Sequence, residues 1–431
     1  MKKKFYLIVL CLNICLISYQ NSEAQIIISG EIRPRAEYRH GFKTLPQENA
    51  VPAFFTEQRS RINFSYSEEK YKIGLSLQDV RVWGAVAQAN KTDGFTSVHE
   101  AWGEYLFTPK FSIKAGRQEL VYDDHRILGN LDWAAQARSH DVVRFIYNDS
   151  TWSFHAGAAY NQDNITPEPG KLFSSIYDPT INNYKTLQYL WYGKQSARVD
   201  YSILILNDGR QAMDSAVNFT QTYGFNPSIK INKDFKFFGS IYYQLGKDKS
   251  GREVNAYLGS ANLSYSGIKS LTTVLGIDYV SGSNINDLAN NKSSTFDPLY
   301  GTHHKFYGFM DYFYVGSPHG PVGLNNVYLK LTEKLSSKFF LMADVHHFAA
   351  AAKIQNPADV QQNLNSSLGT EIDLTFRYHV AKGVAMVGGY SHMFATSSME
   401  AVKPGGGSKN AVANWAWVMV SFNPVFFTSA K

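Results

Sequence analysis

Charged and apolar residues alternate along the first strand-like segment of this chain. Between Gly30 and Arg39, the residues Glu31, Arg33, Arg35, Glu37 and Arg39 fall on one side, and Ile32, Pro34, Ala36 and Tyr38 on the other. Side chains of a strand alternate faces with a period of two. In a soluble sheet the apolar face would seek a core and leave the charges to water. A membrane barrel inverts the arrangement, apolar outward to lipid and charged inward to a wet lumen. The pattern recurs. Glu57, Arg59, Arg61, Asn63 and Ser65 oppose Ile62, Phe64 and Tyr66, and Glu371, Asp373, Thr375 and Arg377 oppose Ile372, Leu374 and Phe376. Two places break it. Asp79 and Arg81 continue the apolar face of their segment, and Arg117 shares a face with Phe111, Ile113 and Ala115. A β-bulge or a position above the bilayer would account for either.

From Ile26 onward no segment of any length carries a helical period. Strand-like segments of about ten residues follow one another, the length of a tilted membrane strand. Aromatic residues sit at many of their ends, where interfacial girdles belong. Very short polar connections near 67–70, 108–110, 148–150, 194–196, 232–234, 266–268, 335–338 and 381–383 alternate with longer ones. The longer ones are 40–56, 84–95, 120–140, 161–184, 207–217, 247–252, 281–324, 349–366 and 395–410. Outer-membrane barrels have short periplasmic turns and longer extracellular loops. Eight turns and nine loops predict an all-β fold: an 18-stranded antiparallel transmembrane β-barrel with both ends of the chain periplasmic. A short aromatic stretch, 305–314, lies inside the longest loop; Asp311 in its middle marks it as a structured loop or a lid, not a nineteenth strand.

The start of the chain reads differently. Lys2, Lys3 and Lys4 precede an apolar stretch from Phe5 to Ile17, and Ser22-Glu23-Ala24 places small residues where a signal peptidase cuts. Residues 1–24 are therefore expected to be a secretory signal and 25–431 the barrel. Ile14 before Cys15 disfavours a lipid-anchor cysteine. Both cysteines, Cys11 and Cys15, fall inside the signal, which leaves residues 25–431 without disulfides or thiol chemistry. The first strand begins too close to the cleavage site for a plug domain, so an open porin fits better than a plugged transporter.

Charge is informative through its distribution. The net charge is +6, yet ten of the fourteen arginines lie between Arg33 and Arg144. Clustered guanidinium groups point to an anionic partner. The competing explanation is internal pairing with carboxylates, which long side chains in a barrel lumen readily make. The densest cluster runs from Gly116 to Asp141 and interleaves arginines with carboxylates at one barrel end.

Within that cluster Gly116-Arg117-Gln118, Tyr122-Asp123-Asp124 with Arg126, Gly129, Trp133, and Arg138 with Asp141 resemble the alginate export family of outer-membrane porins. Gln78 to Gly84 and His304 to Asp311 resemble further family segments. The resemblance implies an 18-stranded barrel whose arginine-lined constriction conducts an anionic uronate polysaccharide. It implies Arg33, Arg59, Arg61, Arg81, Arg117, Arg126, Arg138 and Arg144 as basic lining, with Glu100, Glu104, Asp124 and Asp141 as acidic partners. Strand parity independently points Arg33, Arg35, Arg59 and Arg61 inward, and puts Glu100 and Glu104 on one face. For Arg81 and Arg117 only the resemblance argues, since parity disagrees. The implied partners are an anionic polysaccharide or organic anion, outer-membrane lipid and periplasmic export components. No nucleic-acid partner, cofactor or metal is implied.

Other signals are weaker. His303-His304 and His346-His347 are adjacent pairs, which point to opposite faces of a strand and do not chelate together. No local nucleophile signature marks a hydrolase triad. Gly405-Gly406-Gly407 lacks the strand–helix context of a phosphate loop. The expected function is a passive, anion-conducting outer-membrane channel. The alternatives are a general porin for small organic anions, or a barrel whose closed lumen leaves its loops to act as enzyme or adhesin. In that case the 281–324 loop would fill the lumen.

Overall fold

A computed structural model describes residues 24–162, 183–212, 216–313, 320–403 and 405–429. The expected signal lies almost wholly outside them. Eighteen long strands close into one antiparallel barrel. They are β1 (Gln25–His40), β2 (Ala53–Ser67), β3 (Tyr71–Val82), β4 (Thr96–Leu106), β5 (Phe111–Gln118) and β6 (His140–Asn148). Next come β7 (Trp152–Tyr160), β8 (Thr186–Lys194), β9 (Val199–Gln211), β10 (Val217–Lys230), β11 (Phe235–Lys247) and β12 (Glu253–Ile268). The last six are β13 (Leu271–Val280), β14 (Leu324–Lys334), β15 (Phe339–Ala349), β16 (Ser367–Ala381), β17 (Val384–Ala395) and β18 (Ala413–Phe422). Each pairs with its neighbours in sequence, and β18 returns to β1 with Trp417 opposite Glu37. Beyond a break at 423–424, residues 425–428 pair again with the start of β1. Closure leaves no open sheet edge in the membrane, where an unpaired backbone group would cost several kcal/mol.

The faces follow the sequence pattern. Along β2, Arg59 is 2% exposed and Ile62 is 59% exposed; the first faces the filled lumen and the second lipid. On the outside, Tyr147, Trp152, Tyr192, Tyr201 and Phe225 form a continuous chain of ring contacts near the short turns. That belt sets the periplasmic interface. The tightest turns have only two residues. Gly383 takes φ +74° between β16 and β17, a left-handed conformation that glycine adopts freely.

All eight short turns occur where the sequence places them, the one near 268 shifted to 269–270. Two of the nine loops, 212–216 and 248–252, are no longer than a turn, because β9 runs on to Gln211 and β11 to Lys247. The 305–314 stretch is a loop as far as the described residues go, to 313. It packs inside the barrel, with Met310 and Tyr312 fully buried against Trp415 and Phe348.

Candidate functional site

The lumen is crossed by two long connections. Loop 119–139, between β5 and β6, folds inward and meets loop 281–323, between β13 and β14. They join as a short intraluminal ladder. Gly129 N donates to the Tyr300 carbonyl (3.0 Å), Tyr300 N to Ile127 (3.0 Å), and Thr302 N to His125 (2.8 Å). Apolar residues of both loops bury themselves against inward residues of the wall. Leu120, Ile127, Leu128 and Leu299 pack with Leu187, Leu204 and Leu206. The second loop packs with Phe348 and Trp415.

Arginines of the first strands hold the loop tip. Arg59 makes a two-pronged bond to Glu31 (2.8 and 2.9 Å) and reaches Asp132 Oδ1 at 2.7 Å. Arg33 bonds the carboxylate and the carbonyl of Asp132 at 3.2 and 2.8 Å. Arg35 lies between Glu37 and Glu57, both at 2.8 Å, donates to the Trp133 carbonyl and stacks 4.2 Å over the Trp133 ring. Trp133 in turn stacks on His304 at 4.4 Å, so the clamp fixes both loops. Burial pushes the Asp132 carboxyl up, but Arg33 and Arg59 outweigh it and hold it below the usual aspartate range.

Arg126 is buried at the loop–loop junction. It bonds Asp124 and Asp278 (2.8 and 2.7 Å), Tyr307 and Ser260 (both 3.0 Å), and lies over Phe306. Arg138 donates to the Gly301 carbonyl, again joining the loops. These two arginines join the two loops. His303 and His304 lie at this junction in a 3₁₀ turn, not in a strand.

A different set of cations lies on the inner wall. Arg61 bonds only Gln78 Oε1 (2.9 Å), and one of its guanidinium nitrogens is buried without a partner. Arg144 bonds Gln118 and Tyr122, with its Nε unpaired. Lys114 sits directly across from Arg144 and lies 3.4 Å over the Trp102 ring. Among the described residues none of the three has a carboxylate in salt-bridge contact. Glu104, opposite Lys114, accepts from Ser112 (2.6 Å), and Glu100 accepts from the Glu119 backbone (3.1 Å). Further inward carboxylates lie across the barrel: Asp208 on β9, Asp278 on β13, Asp344 on β15, and Glu371 and Asp373 on β16. Basic and acidic charge are interleaved on both sides: Glu31, Glu37 and Glu57 stand among the arginines of β1 and β2, and Arg210 and Lys330 pair with Asp208 and Asp344.

Arg81 and Arg117 do not line the lumen. Arg81 pairs on the outer surface with Asp79 and with Asp93, the latter at 3.2 Å. Arg117 pairs with Asp141 at 2.9 Å, both side chains well exposed. A bulge does interrupt β3–β4 between Ser76 and Leu77, but it does not turn Arg81 inward, and strand parity decides both cases. Asp141 accordingly partners an outward arginine, while Asp124 partners the buried Arg126. Lys114 is the lining residue that sequence reasoning missed. Its parity with Ser112 and Gln118 marks it inward; attention to arginines hid it.

A family model described as alginate export matches residues 25–409. Among solved structures, the outer-membrane protein OpdK of Pseudomonas aeruginosa superposes with a TM-score of 0.61 at 10% identity, covering 94% of this chain and 99% of its own. OccAB3 of Acinetobacter baumannii gives a TM-score of 0.60 at 12% identity, covering 93% and 99%. A structure of OpdK with vanillate gives 0.59 at 10% identity, covering 94% and 99%. At such identities the likeness establishes the fold. No curated protein matches this sequence.

Proposed function

Because the chain belongs to the alginate export family, a family of outer-membrane channels and not of enzymes, we propose that it passes anionic carbohydrate. The substrate class is a uronate polymer such as alginate, or its oligomers. The observation that carries this reading is the set of unpaired cations on one wall, Arg61, Lys114 and Arg144. A guanidinium grips a carboxylate in a two-pronged, charge-assisted geometry. Conduction needs binding strong enough to draw a ligand in and weak and repeated enough to release it. Arg61 on β2 and the facing pair Lys114 and Arg144 on β5 and β6, with Glu100 and Glu104 of β4 between them to compete, meet both demands. Lower screening beside a low-dielectric wall strengthens the attraction.

The arginines that face the loop tip contribute less to this than their number implies, since Arg33, Arg35 and Arg59 spend their charge on Asp132, Glu31, Glu37 and Glu57. Planar-bilayer recording tests the proposal. Anion selectivity and concentration-dependent block by uronate oligomers are expected; cation selectivity without block would overturn it. A second reading, a channel for small organic anions, is favoured by the two loops that narrow the lumen. In that case monomeric carboxylates would block or permeate, and oligomers of four or more residues would have no effect.

A further inference from the structure

The lumen holds a chamber that adjoins the basic wall: Tyr122 and His155, which contact Arg144, are ring neighbours of its Trp191. A cavity of about 390 Å³ lies under Asp123 and Asp124 of loop 119–139 and reaches the short turns at Asp149 and Gln195. It therefore faces the periplasm, and its volume falls in the range of small-ligand sites. Four aromatic residues border it: Trp191 and Phe238, half-buried on the inward faces of β8 and β11, and Trp152 and Tyr201 of the periplasmic belt at its turn end. Inward positions of a wet barrel are ordinarily polar, and nothing in the loop–loop packing uses Phe238.

Ser202, Ser240 and Asn226 present hydroxyl and amide groups, and the charged lining has four carboxylates, Asp123, Asp124, Asp149 and Asp200, against two lysines, Lys194 and Lys236, so acid outnumbers base. Trp191 is held in place by its Nε1–H donating to Asp123 (2.9 Å) and by contacts with Tyr122 and His155. Asn226 accepts from Tyr242 (2.8 Å), while its amide nitrogen has no partner among the described residues. Asp124 is neutralised by Arg126. Among the described residues Asp123 has no salt-bridge partner and accepts only from Trp191 and Ser202. A pyranose ring offers what these groups recognise, a weakly polar C–H face for the aromatic rings and hydroxyls for the serines and the amide. A uronate would place its carboxylate against Asp123, and that repulsion selects against it.

We propose that this chamber binds an uncharged sugar ring, a neutral mono- or disaccharide, on the periplasmic side of the channel. The site is distinct from the basic wall and does not depend on its function.

The test uses the whole protein in planar bilayers, with maltose or cellobiose added to the periplasmic side and glucuronate as the charged control. Saturable current block by a neutral disaccharide is expected, weakened about tenfold or more by Trp191→Leu and by Phe238→Ala, a loss of about 1.4 kcal/mol or more. Asp123→Asn should let glucuronate block from the same side. Phe238→Ala keeps the test valid if Trp191→Leu disturbs the tether to Asp123. Absence of saturable block by either disaccharide, or block of equal strength in folded Phe238→Ala protein, overturns the proposal. Charge selectivity reports on the basic wall separately, so failure of one reading is not failure of the other.

Discussion

Arg59 and Arg61 sit two residues apart on the same inward face, yet they have different tasks. Arg59 is clasped by Glu31 and Asp132; Arg61 touches only an amide. Arg61→Ala, alone or with Lys114→Ala and Arg144→Ala, should therefore shift the reversal potential toward cations with little loss of stability. Arg59→Ala should cost about 1–3 kcal/mol, because it strips a partner from Glu31 and half-exposed Asp132, and should raise conductance by loosening the loop tip. Equal selectivity shifts from both would refute the division. Strand parity made all these faces legible. It could not reveal the pairing, since Asp132 arrives from a loop 73 residues away from Arg59. The same clamp predicts a pH effect. The folded-state acidity of Asp132 is increased, so its stabilisation is present above the ordinary aspartate value of about 4 and is lost as pH falls below it. Single-channel conductance should rise reversibly under acid, and in Asp132→Ala protein that step should be absent.

The two loops act as a single element inside the barrel. Their ladder is close-packed: a Cβ on Gly301 would lie 2.1 Å from the Arg126 carbonyl oxygen, a backbone atom with nowhere to move. Gly301→Val should part the loops at a cost of about 1–3 kcal/mol, leave the barrel folded, and widen the channel. Faster proteolysis within 119–139 together with larger conductance would report it; unchanged conductance would mean that the ladder does not limit flow. The rhythm of turns and loops located these elements from sequence. Their inward collapse was not legible. Ile203-Leu204-Ile205-Leu206 is apolar on both faces, so alternation vanishes where a wall strand meets lipid outside and a loop inside. Trp415 and Trp417 are inward for the same reason, under the second loop. The aromatic-rich closing strand is thus half luminal.

At the scale of the whole molecule, closure belongs to the wall and narrowing to the loops, and the proposed selectivity is assigned to the wall. β13 and β14 pair along their length, Val280 opposite Leu324 and Leu271 opposite Glu333, so the barrel closes without help from the segment between them. The unpaired cations sit on β2, β5 and β6, on the arc away from that segment. Replacing 299–313 with a short Gly-Ser linker should then give a folded barrel of higher conductance. The loss is the burial of Leu299, Tyr300, Tyr307, Met310, Tyr312 and Phe313, at about 1.5–3 kcal/mol for each side chain, set against a barrel held by eighteen ladders. Anion preference should persist but weaken, because a wider lumen screens the wall more fully. If selectivity disappeared together with the loop, the filter would lie in the loop junction around Arg126 and Arg138, and the wall cations would be bystanders. If instead the variant kept its sign of selectivity and lost it only on adding Arg61→Ala, Lys114→Ala and Arg144→Ala, the wall would be established as the filter. The order of those two changes separates a channel whose loops choose the ligand from one whose loops only set its size.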